Sequence, residues 1–205
     1  MIFTLLVLTL CGGLAGGGWA VRARRLAAEA SKRRAEDKAP GEVYPALPGS
    51  PCQLGDVVLK ATGEEAWLAG ALVFEEDALS CVLFCSPDKG GHSAVFVRVD
   101  PGAPLIWLRP IDPTSVLAMK EPPQSLELEG IRFERARRLP LKARVIGTGV
   151  PHVGSTAILA EYRTPSAEAL LIVAGDERSL AYRGEVVSEG LFEVIASGKR
   201  TLDES

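Results

Sequence analysis

The chain begins with an uncharged apolar run that is long enough to cross a lipid bilayer. Residues 2–21 contain no Asp, Glu, Lys or Arg. As an α-helix this run would span about 30 Å, which matches the hydrocarbon core of a bilayer. Trp19 lies near its end, where aromatic side chains favour the membrane interface. The sequence therefore predicts a transmembrane anchor over residues 1–21.

The basic residues around this run indicate its orientation. None precedes it, and six follow it closely: Arg22, Arg24, Arg25, Lys32, Arg33 and Arg34. Because Lys and Arg are retained on the cytoplasmic side, the chain is expected to be a single-pass protein of the inner (plasma) membrane with a cytoplasmic C-terminal domain. The alternative is a cleaved signal peptide and an exported envelope protein, but signal peptides carry their positive charges before the apolar core.

Glycines in the apolar run provide a surface for helix association. Gly12 with Gly16, and Gly13 with Gly17, have the small-xxx-small spacing that lets two helices approach closely in lipid. Self-association through this glycine-rich helix is one alternative, and a weakly hydrophobic anchor without a partner is the other.

The next two segments connect the anchor to the rest of the chain. Residues 22–39 are rich in Ala, Arg, Lys and Glu, which predicts a basic juxtamembrane helix able to bind anionic headgroups. Pro40 ends that helix, and four prolines in residues 40–53 predict a stiff linker. We expect a β-rich domain over residues 54–198 and a disordered tail over residues 199–205.

The distribution of charge argues against nucleic-acid binding. The chain has 23 basic and 26 acidic residues, of which seven and three lie in the first 39 residues. The remaining 16 basic and 23 acidic residues give a net charge of −7. Since proteins that bind nucleic acid need a basic surface to neutralise phosphates, no nucleic-acid partner is expected.

Short apolar runs separated by Gly, Pro and Asp follow residue 54. We predict strands at 56–61, 65–75, 79–86, 93–100, 104–109, 125–135, 140–146, 156–163, 168–174, 179–187 and 190–196. The alternation changes phase at Gly130, which indicates a turn or bulge. Regular turns between many short strands predict a mainly β, antiparallel sandwich or barrel-like domain. The similarity of AWLA at 66–69 to AILA at 157–160 leaves two similar β-subdomains, split near 115–124, as an alternative.

Two stretches of the chain resemble a known family. The first runs from LGDVV at 54–58 through Trp67 and the FEED turn at 74–77 to Trp107 and Leu108. The second comprises LELEGIRFE, RVIGTGVP and the block that ends in AYRGEVV. Together they resemble the bacterial domain of unknown function 4178 over most of residues 54–187. The resemblance implies a β-rich fold and no mechanism, because that family has no established activity; its members often occur in membrane-associated proteins.

No cofactor or metal site is expected from the remaining motifs. Cys81 and Cys85 lie in an apolar strand rather than in the paired knuckles of a zinc site, and they are too far apart for a disulfide. His92 and His152 lie in glycine-rich loops without a nucleophile motif. GTGVPHVG at 147–154 lacks the lysine and the helix of a phosphate-binding loop.

One basic cluster stands out in the acidic domain as a candidate binding surface. It comprises Arg132, Arg135, Arg137, Arg138, Lys142 and Arg144, with Glu134 as the acidic residue among them. Such a cluster could contact lipid headgroups, an acidic partner or a nucleic-acid backbone, and the predicted anchor favours the membrane surface. An ordinary charged face, balanced by nearby carboxylates, is the competing interpretation.

We therefore expect a membrane-anchored, non-catalytic module that binds a membrane surface or an unknown protein partner. The alternatives are an exported envelope protein and an enzyme that uses a carboxylate such as Asp56 or Glu161. A deep pocket holding either carboxylate beside an ionisable neighbour would favour the enzyme.

Overall fold

The computed structural model describes residues 44–87, 93–116 and 121–197. These residues form a 3₁₀ helix at Pro113–Ser115 and twelve strands: β1 Val57–Lys60, β2 Glu65–Trp67, β3 Gly70–Glu75, β4 Leu79–Ser86, β5 Ser93–Arg98, β6 Leu105–Ile111, β7 Ser125–Leu128, β8 Ile131–Gly147, β9 Thr156–Arg163, β10 Glu168–Gly175, β11 Ser179–Val187 and β12 Phe192–Ile195. Among the described residues, no helix is long and apolar enough to cross a membrane. The predicted anchor, juxtamembrane helix and C-terminal tail, over residues 1–39 and 199–205, lie entirely outside these residues.

Eight of the strands close into one antiparallel barrel, which confirms the predicted mainly β, antiparallel fold. The strand order is β3-β4-β5-β6-β11-β10-β9-β8, and β8 pairs again with β3. Each half of the chain contributes a four-strand meander, β3–β6 or β8–β11. The halves divide near 115–124, but they share one interior and are not two separate subdomains. AWLA lies at the β2–β3 junction and AILA lies within β9, so this sequence similarity does not mark equivalent strands.

β8 joins three other strands and closes the barrel. Its first residues pair with β7, its middle pairs with β9 and its end pairs with β3. The sequence predicted two strands here, 125–135 and 140–146. As the change of phase indicated, Glu129 and Gly130 form a tight turn with φ of 53° and 77°, but the strand after it is a single one that continues through Pro140. Proline fits because β7 pairing ends at Glu134 and β3 pairing starts at Lys142, so β8 has only β9 as a neighbour at Pro140.

Both faces of the barrel wall are buried over much of its circumference. Leu72 and Phe74 of β3 point into the barrel interior, which also contains Leu83, Phe96 and Leu159. On β3 to β6, the residues that alternate with these inward-facing ones point outward from the barrel wall. They pack under a three-stranded sheet of order β12-β1-β2 in a second core, which includes Val73, Phe84, Val95, Trp107, Val58 and Leu68. Two buried faces explain why β3 and β4 read as continuous apolar runs without alternation.

Two predicted boundaries are wrong. Residues 44–53, predicted as linker, belong to the domain: Leu47 and Cys52 are buried in the second core, and the Gln53 side chain bonds both N and O of Leu47. The predicted strand 65–75 is interrupted by Leu68 and Ala69. β2 belongs to the three-stranded sheet and β3 belongs to the barrel. The chain passes from one sheet to the other at these two residues, which is why the strand is broken there.

We predict that Gly70→Ala destabilises the domain by about 2 kcal/mol. A Cβ at Gly70 would lie 2.2 Å from the Thr148 carbonyl oxygen and 2.4 Å from Val150 Cγ2, next to the closing β3–β8 ladder. Without that overlap, alanine would be favoured over glycine within a strand. Urea denaturation measures the change. Gly63→Ala is the comparison variant. Nothing lies near its Cβ, so any loss of stability there reports the positive φ alone, without steric overlap. An unchanged or increased midpoint for Gly70→Ala would contradict this role of Gly70.

Candidate functional site

The structure brings the six residues of the predicted basic cluster together on β8. They do not share one face, because the register of β8 against β9 shifts between Arg135 and Arg137. After this bulge, Leu141 and Ala143 point into the barrel interior. We use the name outer basic row for the side chains that alternate with them on the outer wall: Arg138, Lys142 and Arg144.

Most of these six side chains already have partners. Arg144 bonds Glu75 at 2.9 Å, and Arg138 pairs with Glu121. Arg132 pairs with Glu134, Arg137 pairs with Asp100, and Arg135 donates to the Pro122 carbonyl oxygen and to Gln124. Lys142 forms no ion pair with any residue that the structure describes. The cluster is therefore largely balanced by carboxylates, and only part of its charge is free for another partner.

A shallow groove of about 810 Å³ lies beside Lys142. Its floor is apolar and includes Leu141, Ala157 and Ile158, whereas two hairpins supply five carboxylates at its rim: Glu75, Glu76, Asp77, Asp176 and Glu177. Within the described ranges, no three acidic, His or Cys side chains are grouped so that they could hold a metal ion. The five carboxylates at the rim of the groove lower the positive potential at the Lys142 end of the outer basic row.

Glu161 lies at one end of the barrel interior and is only 2% exposed. Its Oε2 is 3.2 Å from Nη2 of Arg163 and 3.6 Å from Nη1 of Arg98. Asp100 extends the network, since its carboxylate is 3.1 Å from Arg137 and 3.7 Å from Arg98. We call these five residues the ion cluster.

The ion cluster places buried charges beside one another without satisfying all of them. Glu161 Oε1 and Arg163 Nη1 are buried and have no hydrogen-bond partner in the described part of the chain. Burial lowers the pKa of the Arg163 guanidinium, and the neighbouring Glu161 carboxylate opposes that shift. Water molecules can supply the missing hydrogen bonds in such a polar pair. The arrangement fits a carboxylate that compensates two guanidinium groups.

The two carboxylates named for an enzyme have different surroundings. Asp56 accepts hydrogen bonds from the backbone N–H groups of Gln53 and Ser197, so it ties the two ends of the domain together. Glu161 has ionisable neighbours, but it does not line the groove.

The cysteines and the described histidine do not form a reactive pair. Cys81 and Cys85 are free and buried on the interior side of β4. Burial raises the pKa of both thiols, to about 12 for Cys85, so neither is a thiolate at neutral pH. His152 lies at the surface, 3.0 Å from Glu177. His92 lies outside the described residues.

The comparisons with known proteins assign no family. No protein-family model matches the chain, and no curated protein or solved structure was found to be similar to it. The resemblance to the bacterial domain of unknown function 4178 stays a prediction.

Sequence reasoning missed most of the ion cluster. Arg98 continues the inward-facing series of Ala94 and Phe96 on β5, and Arg163 continues that of Ala157 and Leu159 on β9. A charged residue in phase with apolar interior residues at a strand end was the available signal. Its partner on another strand cannot be identified without the strand order.

We predict that Glu161→Gln lowers the free energy of unfolding by roughly 3 kcal/mol, because it removes the carboxylate beside two partly buried guanidinium groups. Glu134→Gln is the matched control. It breaks the exposed pair with Arg132, and its expected effect is below about 1 kcal/mol. Urea denaturation of both variants measures the difference. Equal losses of stability would show that the ion cluster contributes no more than a surface ion pair.

Proposed function

We propose that this protein is a single-pass membrane protein whose β-barrel domain binds the anionic surface of the same membrane, without catalysis. The observation that carries the proposal is the outer basic row: three cationic side chains on the outward face of one strand. Their spacing along β8 lets Arg138, Lys142 and Arg144 approach one flat surface together. The apolar, then basic, N-terminal sequence supports placing that surface at the cytoplasmic leaflet.

The partners of the outer basic row are exchangeable. The side chains of Glu121 and Glu75 are 71% and 34% exposed, so water competes for both ion pairs. An exposed ion pair contributes about 0–1 kcal/mol. Each Lys or Arg near an anionic leaflet contributes about 1 kcal/mol. Lipid phosphates can therefore replace these carboxylates at little net cost, although the acidic groove beside Lys142 weakens the attraction.

The predicted anchor makes such weak contacts sufficient. A binding site that is tethered close to its target has an effective concentration of about the millimolar range, so a modest affinity gives substantial occupancy. A free domain with the same surface would bind membranes poorly. The proposal thus requires the anchor and the barrel in one chain.

An acidic protein partner for the outer basic row is the closest alternative within the same class of function. An exported envelope protein remains the alternative if the N-terminal run is cleaved. The enzyme alternative has the least support, because Asp56 holds two backbone N–H groups and Glu161 compensates arginines. None of these alternatives predicts contact between Lys142 and lipid.

We predict that anionic lipid protects Lys142 from acylation by a water-soluble amine reagent. The full chain is reconstituted in nanodiscs of neutral lipid, or of neutral lipid mixed with anionic lipid, and labelling of Lys142 is followed by peptide mass spectrometry. Labelling should slow severalfold on the anionic discs, because headgroup phosphates pair with the amine. High salt should abolish the difference, since it screens exposed charges.

Two matched double variants separate the outer basic row from general charge. Arg138→Gln/Arg144→Gln should abolish the protection. Arg109→Gln/Arg183→Gln removes the same charge from β6 and β11; the ion-pair partners lost are Glu64, Glu168 and Glu129, none of which contacts the outer basic row, so protection should remain. Equal labelling on neutral and anionic discs would refute membrane-surface binding by this face, and would favour a protein partner.

A further inference from the structure

The barrel interior is not filled at the end opposite the ion cluster. β4 begins near the cluster with Cys81, and its last inward-facing residue, Cys85, lines a cavity of about 380 Å³. Cys81 and Cys85 are about 13 Å apart along β4, given the rise of a strand, so the cavity is well separated from the ion cluster. We call this space the mouth cavity. Its volume falls within the range of small-molecule sites in proteins.

The mouth cavity exists because neighbouring strands place small residues side by side. Gly70 of β3 pairs with Cys85 of β4, which pairs with Ala94 of β5, and all three are on the inward side. Elsewhere the interior is filled by larger side chains such as Phe74 and Phe96. The backbone at Thr148 and the Val150 side chain occupy the space over Gly70. The remaining space lies between Val150, Cys85, Ala94 and the start of β11.

Two buried polar side chains line this space, Ser86, whose Oγ accepts from the Trp67 N–H, and Tyr182. Tyr182 is 5% exposed, and its ring packs in the barrel interior. Its hydroxyl has no hydrogen-bond partner among the residues described. Burial raises the pKa of this phenol, and the nearby Cys85 thiol acts in the same direction, so the hydroxyl stays protonated. The hydroxyl oxygen is not one of the fully buried polar atoms that lack a partner, so it faces accessible space at the cavity wall, where it can donate to an acceptor.

The charges that line the mouth cavity favour an anion. Among the described residues that line it, Arg178 is the one charged residue and none is a carboxylate; Arg178 also borders the acidic groove on its other side. Arg178 forms no ion pair with the described residues. Its acidic neighbours on the same hairpin have other partners: Asp176 accepts from the Thr156 N–H, and Glu177 bonds His152. The guanidinium is therefore free to pair with a ligand, and it can bind a carboxylate through two parallel hydrogen bonds.

We propose that the mouth cavity binds a small monocarboxylate with an apolar body. The apolar body lies against Val150, Ala94 and Leu180. The carboxylate accepts hydrogen bonds from Arg178 and from the Tyr182 hydroxyl. The walls reject a small cation, because Arg178 repels it and none of the described lining residues is acidic. This site does not depend on contact between β8 and lipid, so it stands or falls separately from the proposed function.

The test is equilibrium dialysis of the full chain in neutral nanodiscs against radiolabelled phenylacetate, with empty discs subtracted. Phenylacetate should bind saturably at one site per chain, and phenethylamine should not bind. Arg178→Gln should weaken phenylacetate binding by about tenfold or more, since a hydrogen bond to a charged group is lost. Tyr182→Phe should weaken it by about fivefold, the effect of one neutral donor.

Arg109→Gln is the matched control, because Arg109 is an exposed arginine that does not line the mouth cavity. It should bind phenylacetate as the unaltered protein does. Arg178 is exposed, so its replacement leaves the packed interior intact. Three results would overturn the proposal: no saturable phenylacetate binding up to about 10 mM, a concentration range that detects even very weak sites; equal binding of phenethylamine; or undiminished binding by Arg178→Gln.

Discussion

The ladder between β3 and β8 is the contact on which the rest of the structure depends. It joins residue 70 to residue 147 and residue 75 to residue 142, so it links the two halves of the chain across a long sequence separation. Without it, the eight strands would form an open sheet with two unpaired edges, which exposes backbone groups and favours aggregation. With it, the apolar residues that face inward are enclosed on all sides. The crowding around Gly70 and Gly147 shows how closely the backbones must approach for the ladder to form.

Closure also determines where polar chemistry can occur. A closed barrel buries the middle of every strand, so charges and cavities collect at the two ends and on the outer wall. At one end, the ion cluster covers the interior with paired guanidinium and carboxylate groups. At the other end, Gly70, Cys85 and Ala94 are too small to fill the space, and Tyr182 and Arg178 provide donors. On β8, alternate side chains point to opposite sides of the barrel wall. The apolar ones fill the interior, and the charged ones form the outer basic row in solvent.

The strands could be predicted from sequence because alternation and turn residues are local signals. β4, β9 and β11 have the predicted bounds, and the turn at Gly130 was marked by a change of phase. Closure could not be predicted, since nothing near Gly70 indicates that its partner is Gly147. Residues 44–53 were misjudged because their prolines suggested a linker, whereas Leu47 and Cys52 are buried. The basic cluster was found because it is contiguous in sequence. The mouth cavity was missed because Cys85 lies far along the chain from Arg178 and Tyr182, and only the strand order brings them together.

The proposed position of this barrel at the cytoplasmic face of a membrane is tested most directly by a topology measurement. The full chain is fused at its C-terminus to a reporter that is active only in the cytoplasm, and separately to one that is active only after export, in a bacterial host. The charge distribution around residues 2–21 predicts activity of the cytoplasmic reporter alone. Activity of the exported reporter alone would contradict a cytoplasmic barrel. It would place the barrel in the envelope, away from the anionic leaflet that the outer basic row is proposed to bind.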